Sequence, residues 1–283
     1  MIPTETGARP GTGLTPVDTP PTGCEALTAK GQIVRIRPVT RADADALRAL
    51  NSRVTDRSLY FRFFALNRNV ADDYVESVVR PTDRDHAALV ALLGGVVVAV
   101  AGFERTGDDE AEVALLVEDA HQGEGVGTLL LEHLAAAARS VGVRELVGDV
   151  LVDNRRMAAV FADSGLRSRS SLADGVSRFR LATTADEETL LAMDTREERA
   201  ELASLHPLLE PRTVAVVGAS RRPGSVGHEV LSSIVAGHFA GSVYPVNPRA
   251  RQVAGLTAYP TVSEIPGQVD LAVVSVPVAA LED

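Results

Sequence analysis

The sequence has no tryptophan and one cysteine, Cys24, and only 4% of its 283 residues are aromatic. One thiol cannot form an intrachain disulfide or a thiolate metal cluster, and Cys24 lies in a Pro/Gly/Thr-rich opening where it reads as incidental. With so few large rings, Val, Leu and Ala must fill any core, and 45% hydrophobic residues is enough material for one. An excess of positive charge is also missing, since the formal net charge is -10. A duplex-binding protein needs a cationic face, so nucleic acid is not expected as a partner. An acidic surface instead suits the steering of basic partners, such as lysine-bearing protein surfaces. No uninterrupted apolar run reaches the roughly 18 residues of a membrane span, so no membrane association is expected. The first residues lack a basic patch followed by an apolar core, so no secretory signal is visible and the expected compartment is the cytoplasm.

What is present divides the chain. Residues 1–30 are rich in Gly, Pro and Thr and are expected to form a disordered tail. Ile33, Val34, Arg35, Ile36 and Arg37 then alternate as a half-buried strand does. Thr40 offers an N-cap with Asp43 in the first turn, and Ala46, Leu47 and Leu50 follow at helical spacing. Two more helices are read at 55–64 and 71–79, the first carrying Tyr60, Phe61, Phe63 and Phe64. Strands follow at 87–93, 96–103 and 111–117, separated by turn signals at Gly94-Gly95 and Thr106-Gly107-Asp108-Asp109. A loop over 118–124 leads to a helix at 125–140, a strand at 145–152, a helix at 154–164 and two strands around Ala173-Asp174-Gly175. Hairpins and crossovers together predict an α/β fold with a mixed sheet.

Residues 184–210 are crowded with Glu, Asp and Arg and read as a partly helical linker ending at Pro207 and Pro211. From 211 the character changes. Thr213 to Val217 is a continuous apolar run of buried parallel-strand type. A Gly/Ser loop, a helix near 226–236 and strands at 243–246 and 271–276 complete a Rossmann-like βαβ rhythm. The chain stops soon after that third strand, so this second domain, 211–283, is expected to be incomplete.

The chemistry concentrates between Glu112 and Thr128, where a strand enters a glycine-containing loop that opens a helix. Free amides at a helix start, with the helix dipole, suit a pyrophosphate. Gly125 and Gly127 carry no side chain that would keep a phosphate from the backbone. An ordinary glycine-rich helix cap is the alternative reading.

Gln122, Gly125 and Gly127 match the motif Gln/Arg-x-x-Gly-x-Gly/Ala of the GNAT superfamily of N-acetyltransferases, and Asn154 with Gly165-Leu166 match its next signature. Residues 31–183 thus resemble a GNAT domain. The resemblance implies a mixed central sheet with flanking helices and acetyl-CoA as co-substrate. It implies that the backbone of Val117, Gln122, Gly123, Glu124, Gly125, Val126, Gly127 and Thr128 wraps the pyrophosphate, with Asn154 on the pantetheine or phosphate region. It places the general base on the strand carrying Glu112, with an oxyanion donor near Leu115. Glu110, Glu118 and His121 are secondary candidates, and Glu112 as a plain solvent-facing residue is the alternative.

Two positions depart from that pattern. Glu124 stands where a basic residue is common, so its side chain is expected to point to solvent. Phe161 stands where many relatives carry a tyrosine that protonates the thiolate, and a phenyl ring has no proton to give. The segment 58–64 is similar to the early helix of bacterial Pat-type protein lysine acetyltransferases, although these aromatics also read as core.

In the second domain Gly218-Ala-Ser220 and Gly224 to Gly227 follow a strand and open a helix, while Pro245-Val-Asn247-Pro248 and Val276-Pro277 stand at the ends of the later strands. The Gly-Lys-Ser/Thr ending of a P-loop is absent, and no acid ends the second strand, which disfavours NAD. The pattern resembles the CoA-binding domain of NDP-forming acyl-CoA synthetases, implying a second CoA site at Gly218, Ser220, Ser225, Gly227 and Asn247. No phosphorylatable histidine or ATP-grasp module is visible, so ligase activity is not expected. A regulatory or vestigial CoA site and a purely structural appendage both remain open.

These readings converge on a protein lysine N-acetyltransferase without a metal, transferring acetyl directly from acetyl-CoA. In the Pat type the protein partner is typically an acyl-CoA synthetase. A small-molecule N-acetyltransferase and a non-catalytic acyl-CoA-sensing module are the alternatives.

Overall fold

The computed structural model describes residues 23–63 and 68–276, the side chains of 68–72 excepted. Residues 1–22 of the expected tail, Phe64 and Pro277 lie outside the described residues. The chain divides into two compact units, Met1–Glu201 and Leu202–Asp283.

In chain order unit 1 runs β1 (Cys24–Leu27), β2 (Ile33–Pro38), α1 (Ala44–Arg53), α2 (Asp56–Phe63), α3 (Arg68–Val78), β3 (His86–Leu93), β4 (Val96–Arg105), β5 (Glu110–Val117), α4 (Val126–Ser140), β6 (Glu145–Leu151), α5 (Arg155–Asp163), β7 (Ser168–Ala173) and β8 (Val176–Ala182). The next element, α6 (Glu187–Leu209), contains the boundary between the units. The strands form one sheet in the order β1-β2-β3-β4-β5-β6-β8-β7. Every neighbouring pair is antiparallel except β5 and β6. This is the mixed α/β architecture that the element order predicts.

Strands β3 and β4 read as continuous apolar runs because both their faces are covered. Val90, Val100 and Ala88 pack with Leu47, Leu50, Leu59 and Val75 of the helical layer α1–α3. Leu89, Ala99 and Ala101 pack on the other side with Leu130, Leu131 and Leu134 of α4. Small residues on the strands let α4 approach closely, which is how a chain poor in aromatics still fills its core. Gly94 and Gly95, at φ 55° and 82°, make the β3–β4 turn, a conformation that costs glycine little.

Two expected boundaries are corrected. The expectation of a disordered tail fails for residues 24–30. Cys24–Leu27 pair with β2, from Cys24 opposite Ile36 to Leu27 opposite Ile33. The Thr28 N–H donates to Gln32 O (2.9 Å) and the Gln32 N–H to Thr28 Oγ1 (3.2 Å), closing the turn over a fully buried Thr28. A strand this short takes its order from the open edge of β2, a partner that composition cannot see. The linker is one continuous helix, α6, and it runs past Pro207 to Leu209. Asp186 opens it by accepting the Thr189 N–H (2.9 Å), and only Thr189 and Ala200 are buried along it. Its periodicity is weak because it buries so little, while its Ala, Leu, Glu and Arg content favours helix regardless.

Unit 2 contains β9 (Thr213–Val217), α7 (Val226–Ala236), β10 (Ser242–Val246), the short β11 (Gln252–Val253) and β12 (Leu256–Thr257), and β13 (Leu271–Val274). Strands β10, β9 and β13 form a parallel sheet in that order. The β11–β12 pair, two residues per strand, was too short for periodicity to announce.

Arg37, on β2, grips Asp43 through two hydrogen bonds (2.8 and 2.6 Å), and Asp43 also accepts the Thr40 N–H (2.8 Å). The guanidinium bonds, the largest cause, hold the buried Asp43 carboxyl down at about 2. Asp43→Asn is expected to cost about 1–3 kcal/mol of stability at pH 7, measured by chemical denaturation. A depressed folded value means a contribution fully present above the unfolded value of about 4 and lost on acidification. The gap between wild type and variant should therefore close as pH falls from about 4 to about 2.

Candidate active site

The parallel ladder between β5 and β6 is short. It holds Glu110 opposite Glu145, Ala111 opposite Leu146 and Glu112 opposite Val147, and then ends. On its other edge β5 stays paired with β4 as far as Val117, and β6 stays paired with β8 to Leu151. The two strands therefore splay beyond Glu112 and leave a wedge in the sheet.

Alternation decides which groups line the wedge. Toward β4, Glu118 N–H donates to Val98 O (2.9 Å) and Thr106 N–H to Glu110 O (3.0 Å), so even-numbered residues of β5 bond β4. Odd-numbered residues direct N–H and C=O to the β6 side. Beyond the last rung those are Leu115 and Val117, whose amides open onto the wedge while their side chains pack inward. The Val117 carbonyl accepts from Gln122 Nε2 (2.9 Å).

The loop after β5 winds through a short turn at Asp119–His121 and then Gly123 and Gly125, at φ 79° and 85°, before α4 begins at Val126. Leu129 N–H donates to Gly125 O (3.0 Å). Helix geometry leaves the amides of Val126, Gly127 and Thr128 without an intrahelical acceptor, at the positive end of the α4 dipole. Gly127 has a packing reason to be glycine: a Cβ there would stand 3.3 Å from Val160 Cγ2 and 3.5 Å from Val117 Cγ2. It seats α4 against α5 and β5, while nothing would crowd a Cβ at Gly123.

Polar side chains tie this loop to its neighbours. Gln122 donates to Ser58 Oγ on α2 (3.3 Å) and accepts from Arg156 Nη1 on α5 (2.5 Å). Asp119 accepts the Thr55 N–H (2.8 Å) and the Ser58 hydroxyl (2.8 Å), which fixes the start of α2. Burial works against its charge, yet these bonds outweigh it and hold the carboxyl below its ordinary range. Asn154 caps α5, its Oδ1 accepting the Met157 N–H (3.2 Å).

Glu124 corrects an expectation. Its side chain does not point to solvent: the residue is 4% exposed, with Lys30 Nζ at 2.6 Å and His121 Nδ1 at 3.1 Å. Burial pushes its carboxyl up, but those two partners prevail and keep it below the ordinary range. Lys30 belongs to the supposed tail, so no local pattern announced the contact.

The acidic candidates separate cleanly. Glu118 is held by Arg53 (3.0 Å) and Glu110 by Arg180. Glu112 is exposed and, among the described residues, forms no ion pair. It lies at the apex of the wedge on the sheet face of Leu116, the α1–α3 side, opposite the face of Ala111, Val113 and Leu115. Its cross-strand neighbour Glu104 is occupied by Arg80 (2.6 Å) and His86 (2.8 Å). His121, the other candidate, is spent on Glu124.

In unit 2 the expected residues do converge, at the ends of β9 and β10. Gly218, at φ 85°, donates its N–H to Val246 O (3.0 Å), and a Cβ on Gly227 would collide with Gly218 O at 2.0 Å. Their side chains are largely satisfied internally. Asn247 Nδ2 donates to Ala219 O (2.6 Å) and its Oδ1 accepts the Arg249 N–H (2.8 Å). Ser225 Oγ donates to Arg222 O (2.7 Å), and Ser220 Oγ accepts the Arg222 N–H (3.1 Å).

Known proteins match both units. Residues 57–166 match the Acetyltransferase (GNAT) family, and residues 212–283 match a CoA binding domain. The solved GNAT domain of S. lividans PAT is similar at 37% identity, across 56% of this chain and 96% of that one, with a TM-score of 0.53. Acetyltransferase Pat of Mycolicibacterium smegmatis is 35% identical over 136 residues, 46% of this chain and 40% of its own length. Acetate–CoA ligase (ADP-forming) II subunit alpha of Pyrococcus furiosus is 49% identical over 67 residues, 24% of this chain and 14% of its own. The chain spans 9–17% of the length of the curated CoA ligases and synthase it matches.

Phe161 is 1% exposed, tilted at 56° against Phe179 (5.2 Å between centroids), and its Cζ would meet a Cβ on Gly148 at 2.6 Å. The ring edge thus lies over Gly148, in the space a side chain there would take. Phe161→Tyr is expected to overpack the core and cost about 1–3 kcal/mol, seen as a lowered Tm, instead of supplying a proton donor.

Proposed function

Because the chain belongs to the GNAT family of acetyltransferases, we propose that unit 1 transfers acetyl from acetyl-CoA to the side-chain amine of a lysine on a protein. The observation that carries this reading is the wedge: free backbone donors on one strand, an amide-lined loop at its end, and one unpaired carboxylate at its apex.

The residues fit the co-substrate. The loop amides of residues 122–128 suit a pyrophosphate, and the Val117 and Leu115 amides suit the acyl and pantetheine carbonyls along the wedge. Asn154, with its Oδ1 spent on its own helix, offers its Nδ2 donors to the same region. Bound acetyl-CoA supplies the acyl group already activated as a thioester, so this chain needs only to place an amine and remove its proton. A lysine with a pKa of about 10.4 is neutral only on the order of once in a few thousand molecules at pH 7. Glu112 accepts that proton, directly or through one water, from the α1–α3 side of the sheet. Among the described residues it forms no ion pair, and the nearby Arg178 that senses its charge is itself paired with Asp149 (2.7 Å). Transfer is direct: the one cysteine, Cys24, lies beside His133 (Sγ to Nε2 3.6 Å) and offers the wedge no nucleophile. At position 161 there is no acid, so the departing thiolate draws its proton from elsewhere.

A protein acceptor is favoured by similarity to two proteins named Pat and, as the resemblance to the Pat type implies, by the pairing of a GNAT unit with a CoA-binding segment. An acyl-CoA synthetase is the acceptor this pairing points to. The net charge of -10 suits steering of a basic surface.

The test is transfer from labelled acetyl-CoA to a panel of proteins that includes an acyl-CoA synthetase. Lysine labelling is expected, and Glu112→Gln should reduce its rate about 10²–10⁴-fold with little change in the KM for acetyl-CoA. Equal labelling by the variant would remove Glu112 as the base. Acetyl-CoA binding without labelling of any protein would move the reading to a small-molecule acceptor or an acyl-CoA sensor.

A further inference from the structure

We propose that the turn between β1 and β2, with Lys30 at its tip, is a positioning element for the phosphate-binding loop, and that Lys30 returns to the loop the positive charge that Glu124 takes from it. This deepens the acetyltransferase reading and rests on it.

Lys30 is the only lysine in the sequence, against 38 acidic residues. Its Nζ lies 2.6 Å from Glu124 Oε1, and its side chain remains 66% exposed while that of Glu124 is 6% exposed. Glu124 sits between the two positive-φ glycines, in the middle of the segment whose amides face a diphosphate. A buried carboxylate there, left alone, would repel the ligand the loop is shaped to receive, since desolvated like charges weaken binding strongly. Lys30 cancels that charge. An ammonium has three donors, and one bond to Glu124 leaves the others for a phosphate oxygen.

The backbone contributes independently. Ala29 N–H donates to Glu124 O at 2.8 Å. A trans peptide is planar, with its C=O and N–H on opposite sides. Fixing the Glu124 carbonyl toward the turn therefore fixes the Gly125 N–H away from it. Gly125 also packs against Ala29, where a Cβ would come within 3.7 Å of the Ala29 nitrogen. The turn itself is rigid, held by Gly31 N–H to Thr28 O (2.8 Å) and by the buried Thr28. The strap thus sets one amide of the cradle and neutralises the one acid inside it.

The experiment is a hydrogen-exchange titration of the full chain, followed at the peptide covering residues 118–130. That peptide reports this loop and is blind to any CoA bound in unit 2. Acetyl-CoA is expected to protect it in the wild type. Lys30→Ala should raise the half-protecting concentration about tenfold, which corresponds to about 1.4 kcal/mol. Lys30→Arg should stay near wild type, and Lys30→Ala with Glu124→Gln should recover most of the loss, a rescue that a merely structural role would not give. S-acetylpantetheine, which lacks the diphosphate, should titrate alike on all variants. Coincident acetyl-CoA titrations of wild type and Lys30→Ala, or an equal shift with acetylpantetheine, would overturn the proposal. Absence of any protection in the wild type would instead overturn the acetyltransferase reading beneath it.

Discussion

Three residue pairs between β5 and β6 govern the rest of unit 1. The ladder ends at Glu112 and Val147 because each strand is still bound on its far side, β5 to β4 and β6 to β8. Closing the gap would mean tearing one of those antiparallel ladders, so the sheet keeps the wedge. Backbone amides at Leu115 and Val117 are then left without a strand partner. An unmet buried donor costs about 1–3 kcal/mol, a cost that a bound carbonyl or water removes. The same divergence places the end of β5 beside the start of α4, so that strand edge and helix end present their donors side by side.

The charge arrangement follows a division of labour among acids. Glu110 and Glu118 are held by Arg180 and Arg53, Glu104 by Arg80 and His86, and Glu124 by Lys30 and His121. What remains at the apex is Glu112. Hydrogen bonds also join the layers that meet there. Ser58 of α2, Asp119 and Gln122 of the loop, and Arg156 of α5 form one connected chain. Helix α2 therefore shares its anchoring with the loop that opens α4, and order in one favours order in the other.

Unit 2 follows a different logic. Its glycine loop and the end of β10 converge, but Asn247, Ser220 and Ser225 spend their polar groups on that convergence. The close seat of Gly227 on Gly218 O shows how tightly α7 enters the sheet.

Local information carried most of the architecture. Alternation at Ile33 to Arg37, the double glycine at 94–95, the apolar runs of β3, β4 and β9 and the strand–loop–helix order around Gln122 were legible because hydrogen bonding and burial periods act over a few residues. That Asn154 caps α5 and Phe161 is buried came from the structure alone. What the sequence could not decide were contacts between residues far apart in the chain. Cys24–Leu27 became a strand because β2 had an open edge, and Lys30 reaches across 94 positions to Glu124. Glu112 and Glu110 are the same residue type on the same strand, and only the position of Arg180 on β8 separates the free one from the paired one. Periodicity determined which elements form; tertiary packing decided which polar groups are left over for chemistry, because a charge's availability depends on what folds up beside it.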